Sequence, residues 1–104
     1  GDESMTRQIP VDVFEKIAGV CRQHRVQRLS LFGSRVRGDN SDSSDFDFIV
    51  DFFPGARIGL FEYAGMQIEL EELLGKKVDL VTRKGLKEII RDRVLSEAEV
   101  IYAG

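Results

Sequence analysis

The sequence predicts a small α/β (α+β) domain, a mixed β-sheet with helices packed on one face. Short apolar runs typical of buried strands alternate along the 104 residues with segments that have helical periodicity. Their order is helix, strand, loop, strand, helix, strand and helix, which is typical of a small α/β sandwich. A chain of this length is sufficient for one hydrophobic core, but not for a second substrate domain.

The first predicted element is an amphipathic helix of about 13 residues that begins near Pro10. The fixed φ of proline suits the first turn of a helix. Apolar side chains then follow at i, i+3, i+4 and i+7, the spacing of one helical face, and they are Phe14, Ile17, Ala18 and Cys21.

Two strands follow this helix. Residues 28–32 are short and apolar, which indicates a well-covered strand. Residues 46–53 alternate with period two and are ended by Pro54-Gly55. Between them, residues 35–44 predict a polar loop that begins with a helical turn after Ser34. The second strand has an apolar face with Phe46, Phe48, Val50 and Phe52, and a second face with Asp45, Asp47, Ile49 and Asp51.

The second half of the chain continues the alternation of helix and strand. Residues 60–74 predict a helix with a broad apolar surface, ended by Gly75 at the usual C-cap position. Strands are predicted at residues 77–82 and 99–102, with a helix at 86–95 between them. The side chains of that helix that are expected to point inward are those of Leu86, Ile89, Ile90 and Val94.

Composition limits the classes of function. The formal net charge is −3, but residues 1–4 resemble the remnant of an expression tag, which leaves residues 5–104 as a single domain. Without Asp2 and Glu3 the chain has 16 acidic and 15 basic residues, a net charge of −1. This balance does not favour direct nucleic-acid binding, and no apolar run approaches the roughly 20 residues of a membrane span. The single cysteine, Cys21, favours a reducing cytoplasm.

The most informative motif is Gly33-Ser34, ten further residues, and then Asp45-Phe46-Asp47. Residues two apart on a strand point to the same face, so Asp45 and Asp47 are expected to project side by side. Two carboxylates in that position repel each other unless a cation lies between them. The alternative is that acids near the start of a strand cap a turn or face solvent.

Asp47 lies inside an apolar run, and Asp79 interrupts a second one, Val78-Asp79-Leu80-Val81. A carboxylate costs several kcal/mol to bury unless it is paired or bound to a metal. Three acids in two core strands therefore favour a divalent cation. Oxygen ligands and a phosphate substrate point to Mg²⁺, with Mn²⁺ as an alternative.

Gly33 and Ser34 predict a phosphate site, since backbone N–H groups at a strand-to-helix turn attract anions. The alternative is a plain turn with Ser34 as the helix N-cap. The two are compatible, because the same N–H groups can serve a phosphate. A phosphate cradle that faces a carboxylate pair is what phosphoryl or nucleotidyl transfer requires.

Together these motifs resemble those of the minimal nucleotidyltransferases, small members of the DNA polymerase beta superfamily. The resemblance spans residues 33–81 and rests on Gly33-Ser34, Arg37-Gly38, Ser44-Asp45, Asp47 and Asp79. It implies a mixed, largely antiparallel sheet. It also implies that Asp45 and Asp47 hold the metals that bridge the triphosphate of ATP. Asp79 would join one of these metals and help to deprotonate the acceptor hydroxyl.

Other polar residues near the motif have less specific roles. Arg37 matches the Arg-Gly of the family and is a candidate for phosphate binding or site organisation, but it is equally suited to an ion pair with Asp42. Arg35 is interpreted as a solvated charge. Ser44 is a candidate nucleotide-binding residue, with capping of the loop as its alternative role. His24, at a helix end, is not expected to be a metal ligand.

Stand-alone proteins of this kind resemble the antitoxin of toxin–antitoxin modules whose partner is a helical HEPN ribonuclease toxin. The resemblance implies a hetero-oligomer in which AMP passes from ATP to a toxin tyrosine. The alternatives are a binding module that neutralises its partner by occlusion alone, and an enzyme that modifies a small molecule. The apolar helix at 60–74 and the basic C-terminal helix are candidate partner contacts, with ordinary core and solvated surface as the alternatives.

Overall fold

The computed structural model of the protein describes residues 9–38 and 45–104. Within them the chain forms four α-helices, four β-strands and a 3-10 turn at Arg83–Gly85. The helices are α1 at Val11–Gln23, α2 at Ser34–Arg37, α3 at Leu60–Leu74 and α4 at Glu88–Glu97. The strands are β1 at Val26–Phe32, β2 at Phe46–Phe52, β3 at Val78–Val81 and β4 at Glu99–Ala103.

The four strands form one sheet in the order β3-β2-β1-β4. β1 is antiparallel to both β2 and β4, whereas β2 and β3 are parallel. The parallel pair is joined by a crossover that contains α3, as a parallel connection requires. This mixed sheet with helices confirms the fold class and the largely antiparallel arrangement expected from the sequence.

The predicted element boundaries agree with the structure to within two residues. β1 begins earlier than predicted, at Val26, because the turn after α1 is short and contains Arg25 in a left-handed conformation with a φ of 59°. α4 begins later than predicted because a 3-10 turn precedes it. In that turn Thr82 Oγ1 accepts a hydrogen bond from Gly85 N at 3.2 Å.

The main hydrophobic core lies between one face of the sheet and the packed pair α1 and α3. Register partners on this face are both apolar, as for Leu31 and Phe48. The inward face predicted for the second strand is confirmed. Core side chains that are at most 1% exposed include Ile17, Cys21, Leu29, Leu31, Phe48, Val50, Met66 and Leu70. None of the helices in the described residues has the length and apolar character of a membrane span.

His24 links α1 to α3. Its Nδ1 lies 2.9 Å from Glu62 Oε2, and its Nε2 lies 2.8 Å from Glu69 Oε1. Both ring nitrogens can donate to carboxylates only when the imidazole is protonated. Burial lowers the pKa of His24, but the hydrogen bonds and charges of the two glutamates outweigh burial, so the net pKa is raised. His24 therefore connects the two helices through contacts with both glutamates.

Three side chains of α3 bind the outer edge of β3, which is an edge strand of the sheet. Tyr63 Oη donates to Leu80 O at 2.6 Å, and Gln67 Nε2 donates to Val78 O at 3.0 Å. Glu71 Oε2 accepts from Val78 N at 3.1 Å. The three side chains lie four residues apart, so they form one row along the helix. This row fixes the position of β3 against α3.

The prediction that Ile89 and Ile90 turn inward is wrong, since they are 89% and 40% exposed. The buried residue of this segment is Leu86, at 8% exposure. Leu86 precedes α4 instead of lying within it. Because Leu86 lies outside the helix, its burial does not indicate which face of α4 is buried.

The opposite face of the sheet has rows of register partners that differ in chemistry. From the start of β2 to its end they are Phe32 with Asp47 and Asp79, Ser30 with Ile49 and Val81, and Arg28 with Asp51. The Nε atom of Arg83 lies 2.8 Å from Asp51 Oδ1, so the 3-10 turn lies against this face. Ser30 and Ile49 are buried. A buried middle row therefore separates an acidic end of this face from an arginine-rich end.

Candidate functional site

Gly33 follows β1 and begins the turn into α2. Its backbone has a φ of 87° and a ψ of −156°, a conformation that residues with side chains rarely adopt. Gly33 O accepts hydrogen bonds from Val36 N and Arg37 N, both at 3.1 Å. A Cβ atom at Gly33 would overlap Asp47 Oδ2 and lie 3.3 Å from Asp47 Cγ. The backbone of the predicted phosphate turn therefore lies directly against the predicted catalytic carboxylate.

Asp47 and Asp79 are direct register partners on the parallel strands β2 and β3, so both point to the same face of the sheet. Asp45 precedes β2 and is exposed, whereas Asp47 is half-buried. Burial raises the pKa of Asp47, and the negative charges of Asp79 and Asp45 raise it further. The positive charges of Arg37 and Arg35 act in the opposite direction. The three predicted acids therefore interact electrostatically at one end of the sheet.

The chemistry of the three acids suits a divalent cation, although their side chains do not form a complete coordination site. Carboxylate oxygens are ligands that Mg²⁺ and Mn²⁺ prefer, and a cation would offset the repulsion that raises the pKa of Asp47. Within residues 9–38 and 45–104, no three His, Cys, Asp or Glu side chains are placed to hold a metal ion together. The metal role of Asp45, Asp47 and Asp79 stays a prediction, and it requires these side chains to converge as the metal binds.

Arg35 is buried, which contradicts its interpretation as a solvated charge. The residue is only 7% exposed, and its guanidinium carbon lies 4.0 Å from the centre of the Phe46 ring. Phe46 in turn stacks on Phe48, with ring centroids 6.1 Å apart and planes 8° from parallel. A desolvated cation over an aromatic ring contributes about 2 kcal/mol. Arg35 therefore fastens α2 to the start of β2, beside Asp47.

Arg37 is more exposed, and its Nη1 lies 3.7 Å from Glu97 Oε1 of α4. Its charge lowers the pKa of Asp47, so the guanidinium lies within electrostatic reach of the acids. These contacts are consistent with a site-organising role, whereas phosphate binding stays a prediction. Ser44, the predicted nucleotide-binding residue, and Asp42, the alternative partner of Arg37, lie outside the described residues.

Tyr63 is a residue at the edge of the site that was not predicted. Burial raises its pKa, and the charge of Asp79 raises it further. Its hydroxyl donates to Leu80 O, the carbonyl that follows Asp79 along β3. A sequence signal did exist, because Tyr63, Gln67 and Glu71 form a row of polar side chains at four-residue spacing along the helix.

Comparison with known proteins identifies the family to which the chain belongs. Residues 14–101 match the model of the nucleotidyltransferase domain family. Over 87 residues the chain is 37% identical to a candidate protein adenylyltransferase of Methanocaldococcus jannaschii, covering 84% of this chain and 91% of that protein. Over 79 residues it is 40% identical to the protein adenylyltransferase MntA of Thermococcus cleftensis, covering 74% of each chain.

Solved structures have the same fold. A candidate minimal nucleotidyltransferase matches with a TM-score of 0.72 and 34% identity over 94% of this chain and 97% of that chain. A toxin–antitoxin complex with AMP-PNP matches with a TM-score of 0.70 and 22% identity over 88% of this chain and 73% of that chain.

A third structure is the complex of the tri-AMPylated HEPN toxin of Shewanella oneidensis with its MNT antitoxin. It matches with a TM-score of 0.63 and 19% identity over 88% of this chain and 71% of that chain. At such identities the two complexes support the fold alone. The family match covers most of the chain, and both relatives exceed 30% identity over more than two thirds of it. The chain therefore belongs to the nucleotidyltransferase family and is a nucleotidyltransferase.

Proposed function

We propose that this chain transfers AMP from ATP to a tyrosine hydroxyl of a helical HEPN ribonuclease toxin, and thereby acts as its antitoxin. One observation carries the proposal. The turn at Gly33 lies directly against Asp47, and Asp47 is the register partner of Asp79. A backbone turn suited to phosphate and two carboxylates on one sheet face are thereby placed together, as nucleotidyl transfer requires.

The relatives support the choice of acceptor. MntA of Thermococcus cleftensis is named a protein adenylyltransferase, and the chain matches 74% of its length. Structures with the same fold include a toxin–antitoxin complex with AMP-PNP and the complex of a tri-AMPylated HEPN toxin with an MNT antitoxin. We therefore propose a protein acceptor, ATP as the donor and a hetero-oligomer with the toxin. Such a reaction would take place in the cytoplasm, as the sequence predicts.

Each site residue has a proposed role in binding. Backbone N–H groups at Gly33 and Ser34 would bind the β- and γ-phosphates, and Arg37 would add positive charge beside them. Asp45 and Asp47 would hold Mg²⁺, or Mn²⁺ in its place, with Asp79 as a further ligand. When bound, the metal would supply positive charge that stabilises both the attacking and the leaving oxygen atoms.

The proposed transfer balances as a displacement at phosphorus. The acceptor hydroxyl oxygen forms a bond to the α-phosphorus of ATP, and the bond from that phosphorus to the oxygen of the departing pyrophosphate breaks. Asp79 would take the proton of the acceptor hydroxyl, since it lies on the same face as Asp47 at the start of the parallel pair. The products are the AMP-modified acceptor and pyrophosphate.

A partner surface is needed to select the acceptor, and the start of α3 is suited to this role. Leu60 and Phe61 are 82% and 93% exposed, and Ile68 of the same helix is 54% exposed. Exposed apolar side chains of this size are typical of protein interfaces. The same surface would serve the alternative function, in which binding alone neutralises the partner. Modification of a small molecule is less favoured, because the relatives that match most of the chain have the names of protein adenylyltransferases.

The test is to incubate the chain with ATP, Mg²⁺ and the protein encoded by its genomic neighbour. We expect the mass of that protein to rise by whole AMP units, with modification of a tyrosine located by peptide mass spectrometry. The variant with Asp45→Asn and Asp47→Asn should leave the mass unchanged. Asp51→Asn is the matched control, since Asp51 lies on the same strand and face but pairs with Arg83, and it should keep transfer activity.

Two results would contradict the proposal in different ways. Inhibition of the neighbour without a mass change, and equally by the Asp45→Asn, Asp47→Asn variant, would establish occlusion. Transfer of AMP to a small hydroxylated compound in preference to the neighbour would instead establish small-molecule modification.

A further inference from the structure

A cavity of about 450 Å³ lies at the arginine-rich end of the sheet face that also has the acids. Its polar lining consists of Gln27, Arg28, Asp51, Thr82, Arg83 and Lys84. The volume is within the range of small-molecule sites, roughly 300 to 1,000 Å³. None of these residues has a role in the transfer reaction proposed above.

The cavity is separate from the nucleotidyl-transfer site. Asp51 and Asp47 are four residues apart on β2, which places them roughly 13 Å apart along the strand. Ile49 lies between them on the same face and is only 1% exposed. A buried apolar side chain therefore lies between the cavity and the acids.

The charges around the cavity favour an anion. Three cations and one acid line it, and the acid is already paired, because Arg83 Nε lies 2.8 Å from Asp51 Oδ1. Arg28 is the register partner of Asp51 and is exposed. Within residues 9–38 and 45–104, Arg28 and Lys84 make no ion pair or side-chain hydrogen bond. Two cations are therefore available to a ligand without the loss of an internal contact.

The neutral groups of the cavity add a more specific pattern. Thr82 Oγ1 accepts a hydrogen bond from Gly85 N, which leaves its hydroxyl proton free to donate into the cavity. The Gln27 amide can donate as well. Asp51 keeps a second carboxylate oxygen that can accept from a ligand hydroxyl or amine. The lining thus offers donors for an anion beside an acceptor for a neutral polar group.

We propose that this cavity binds a phosphorylated small molecule of about mononucleotide size, at a site distinct from the one that transfers AMP. The phosphate would lie between Arg28 and Lys84, and Asp51 would accept from a hydroxyl of the ligand. A phosphate monoester has three acceptor oxygens and a charge of about −1.5 to −2 at pH 7, which suits two separate cations better than a carboxylate does. The near-neutral charge of the chain argues against an extended nucleic-acid track.

The test is a titration of the ¹⁵N-labelled protein with AMP in the presence of EDTA, followed by NMR. Without a divalent cation, the readout does not depend on nucleotidyl transfer. We expect the amide signals of Asp51, Thr82 and Lys84 to shift saturably, and inorganic phosphate to compete. The variants Arg28→Gln and Lys84→Gln should each raise the Kd at these signals about tenfold, the effect of one lost charge-assisted hydrogen bond. Arg57→Gln, which removes an exposed charge outside the cavity lining, is the control and should leave the Kd unchanged.

Several outcomes would overturn the proposal. Shifts confined to Gly33 and Asp47 would place all binding at the transfer site. Equal binding of adenosine would show that the phosphate is not recognised, and an equal loss in Arg57→Gln would show a general charge effect. Tighter binding of a ten-nucleotide RNA through the same signals would identify a nucleic-acid surface instead. A failure here leaves the AMP-transfer proposal intact, since that proposal is tested by the mass of the acceptor.

Discussion

Gly33 and Asp47 lie so close together that a single added carbon at Gly33 would overlap the Asp47 carboxylate. The contact joins the turn after β1 to the second strand at the point where phosphate and metal are proposed to bind. Any change that separates the two residues would therefore separate the two halves of the site.

We predict that Gly33→Ala abolishes AMP transfer. The new methyl group must displace Asp47, and the backbone conformation of Gly33, which is almost restricted to glycine, adds strain of about 1 to 3 kcal/mol. Gly55→Ala is a close control, because Gly55 has a φ of 88° but has nothing within 4 Å of its Cβ position. The two variants should melt at lower temperatures than the wild type, whereas only Gly33→Ala should lose transfer in the mass assay. Equal activity of the two variants would contradict a site at this turn.

We predict that Asp47→Asn makes the metal-free protein more stable at neutral pH. Burial and the charges of Asp79 and Asp45 raise the pKa of Asp47 above its ordinary value of 3.8. The folded protein therefore holds this proton more tightly than the unfolded chain does, and the free energy of unfolding falls as pH rises from about 3.8 through the raised pKa. Asn at this position does not ionise, so the variant avoids this loss of stability at neutral pH. The difference in melting temperature between the variant and the wild type should disappear below pH 4.

The same substitution should reduce transfer by about 10²- to 10³-fold, the effect typical of removing a group that stabilises transition-state charge. Asp51→Asn is the matched control for stability, since it breaks an ion pair with Arg83 and should not stabilise the fold. A variant Asp47→Asn that is both less stable and inactive would indicate a structural role for the carboxylate.

We predict that the His24 bridge makes stability depend on pH near neutrality. The net pKa of His24 is raised above 6.5, so its stabilising contribution is complete below pH 6.5 and is lost as pH rises through the raised value. Melting temperatures should fall over that interval in the wild type. His24→Gln should remove the dependence and cost about 1 kcal/mol at pH 6, allowing for the partial exposure of the glutamates. His24 is the single histidine of the sequence, so persistence of the same pH profile in the variant would rule out this bridge as its source.

We predict that Tyr63→Phe loosens β3 and thereby lowers the rate of transfer more than it weakens ATP binding. The substitution leaves Leu80 O without its 2.6 Å hydrogen bond, at a cost of about 1 kcal/mol. Hydrogen exchange should accelerate at the β3 amides of Asp79 and Val81, which face β2 in the parallel register. Tyr102→Phe removes a phenol hydroxyl from β4, on the other edge of the sheet, and should change neither property. Unaltered exchange in β3 of Tyr63→Phe would contradict a positioning role.

Much of the fold could be predicted because its signals are local. The period-two pattern of residues 46–53 and the glycine after residue 74 each define an element from neighbouring residues alone. The proximity of the candidate site residues was predictable for the same reason, since Gly33 follows an apolar strand and Asp47 and Asp79 each interrupt one. These features do not depend on which distant segment packs against them.

The remaining features depend on contacts between distant parts of the chain. Arg35 is buried because Phe46 supplies an aromatic face, and nothing in the neighbourhood of Arg35 indicates that contact. The pKa of His24 is raised because two glutamates some 40 positions later bind its ring nitrogens from α3. Ile89 has the spacing of a core residue but lies in the exposed first turn of α4. Burial of this kind is set by tertiary packing, which periodicity does not report.

The two edge strands of the sheet, β3 and β4, differ in the main-chain groups that they offer to an added strand. Along β3, Val78 N, Val78 O and Leu80 O are already bound by α3 side chains. β4 forms the other edge, and Val100 on it is 55% exposed. An incoming strand needs unpaired main-chain groups, so sheet extension by a partner or a second copy is directed to β4. Assembly by strand addition would thus proceed on the side away from Asp79 and leave the catalytic edge undisturbed.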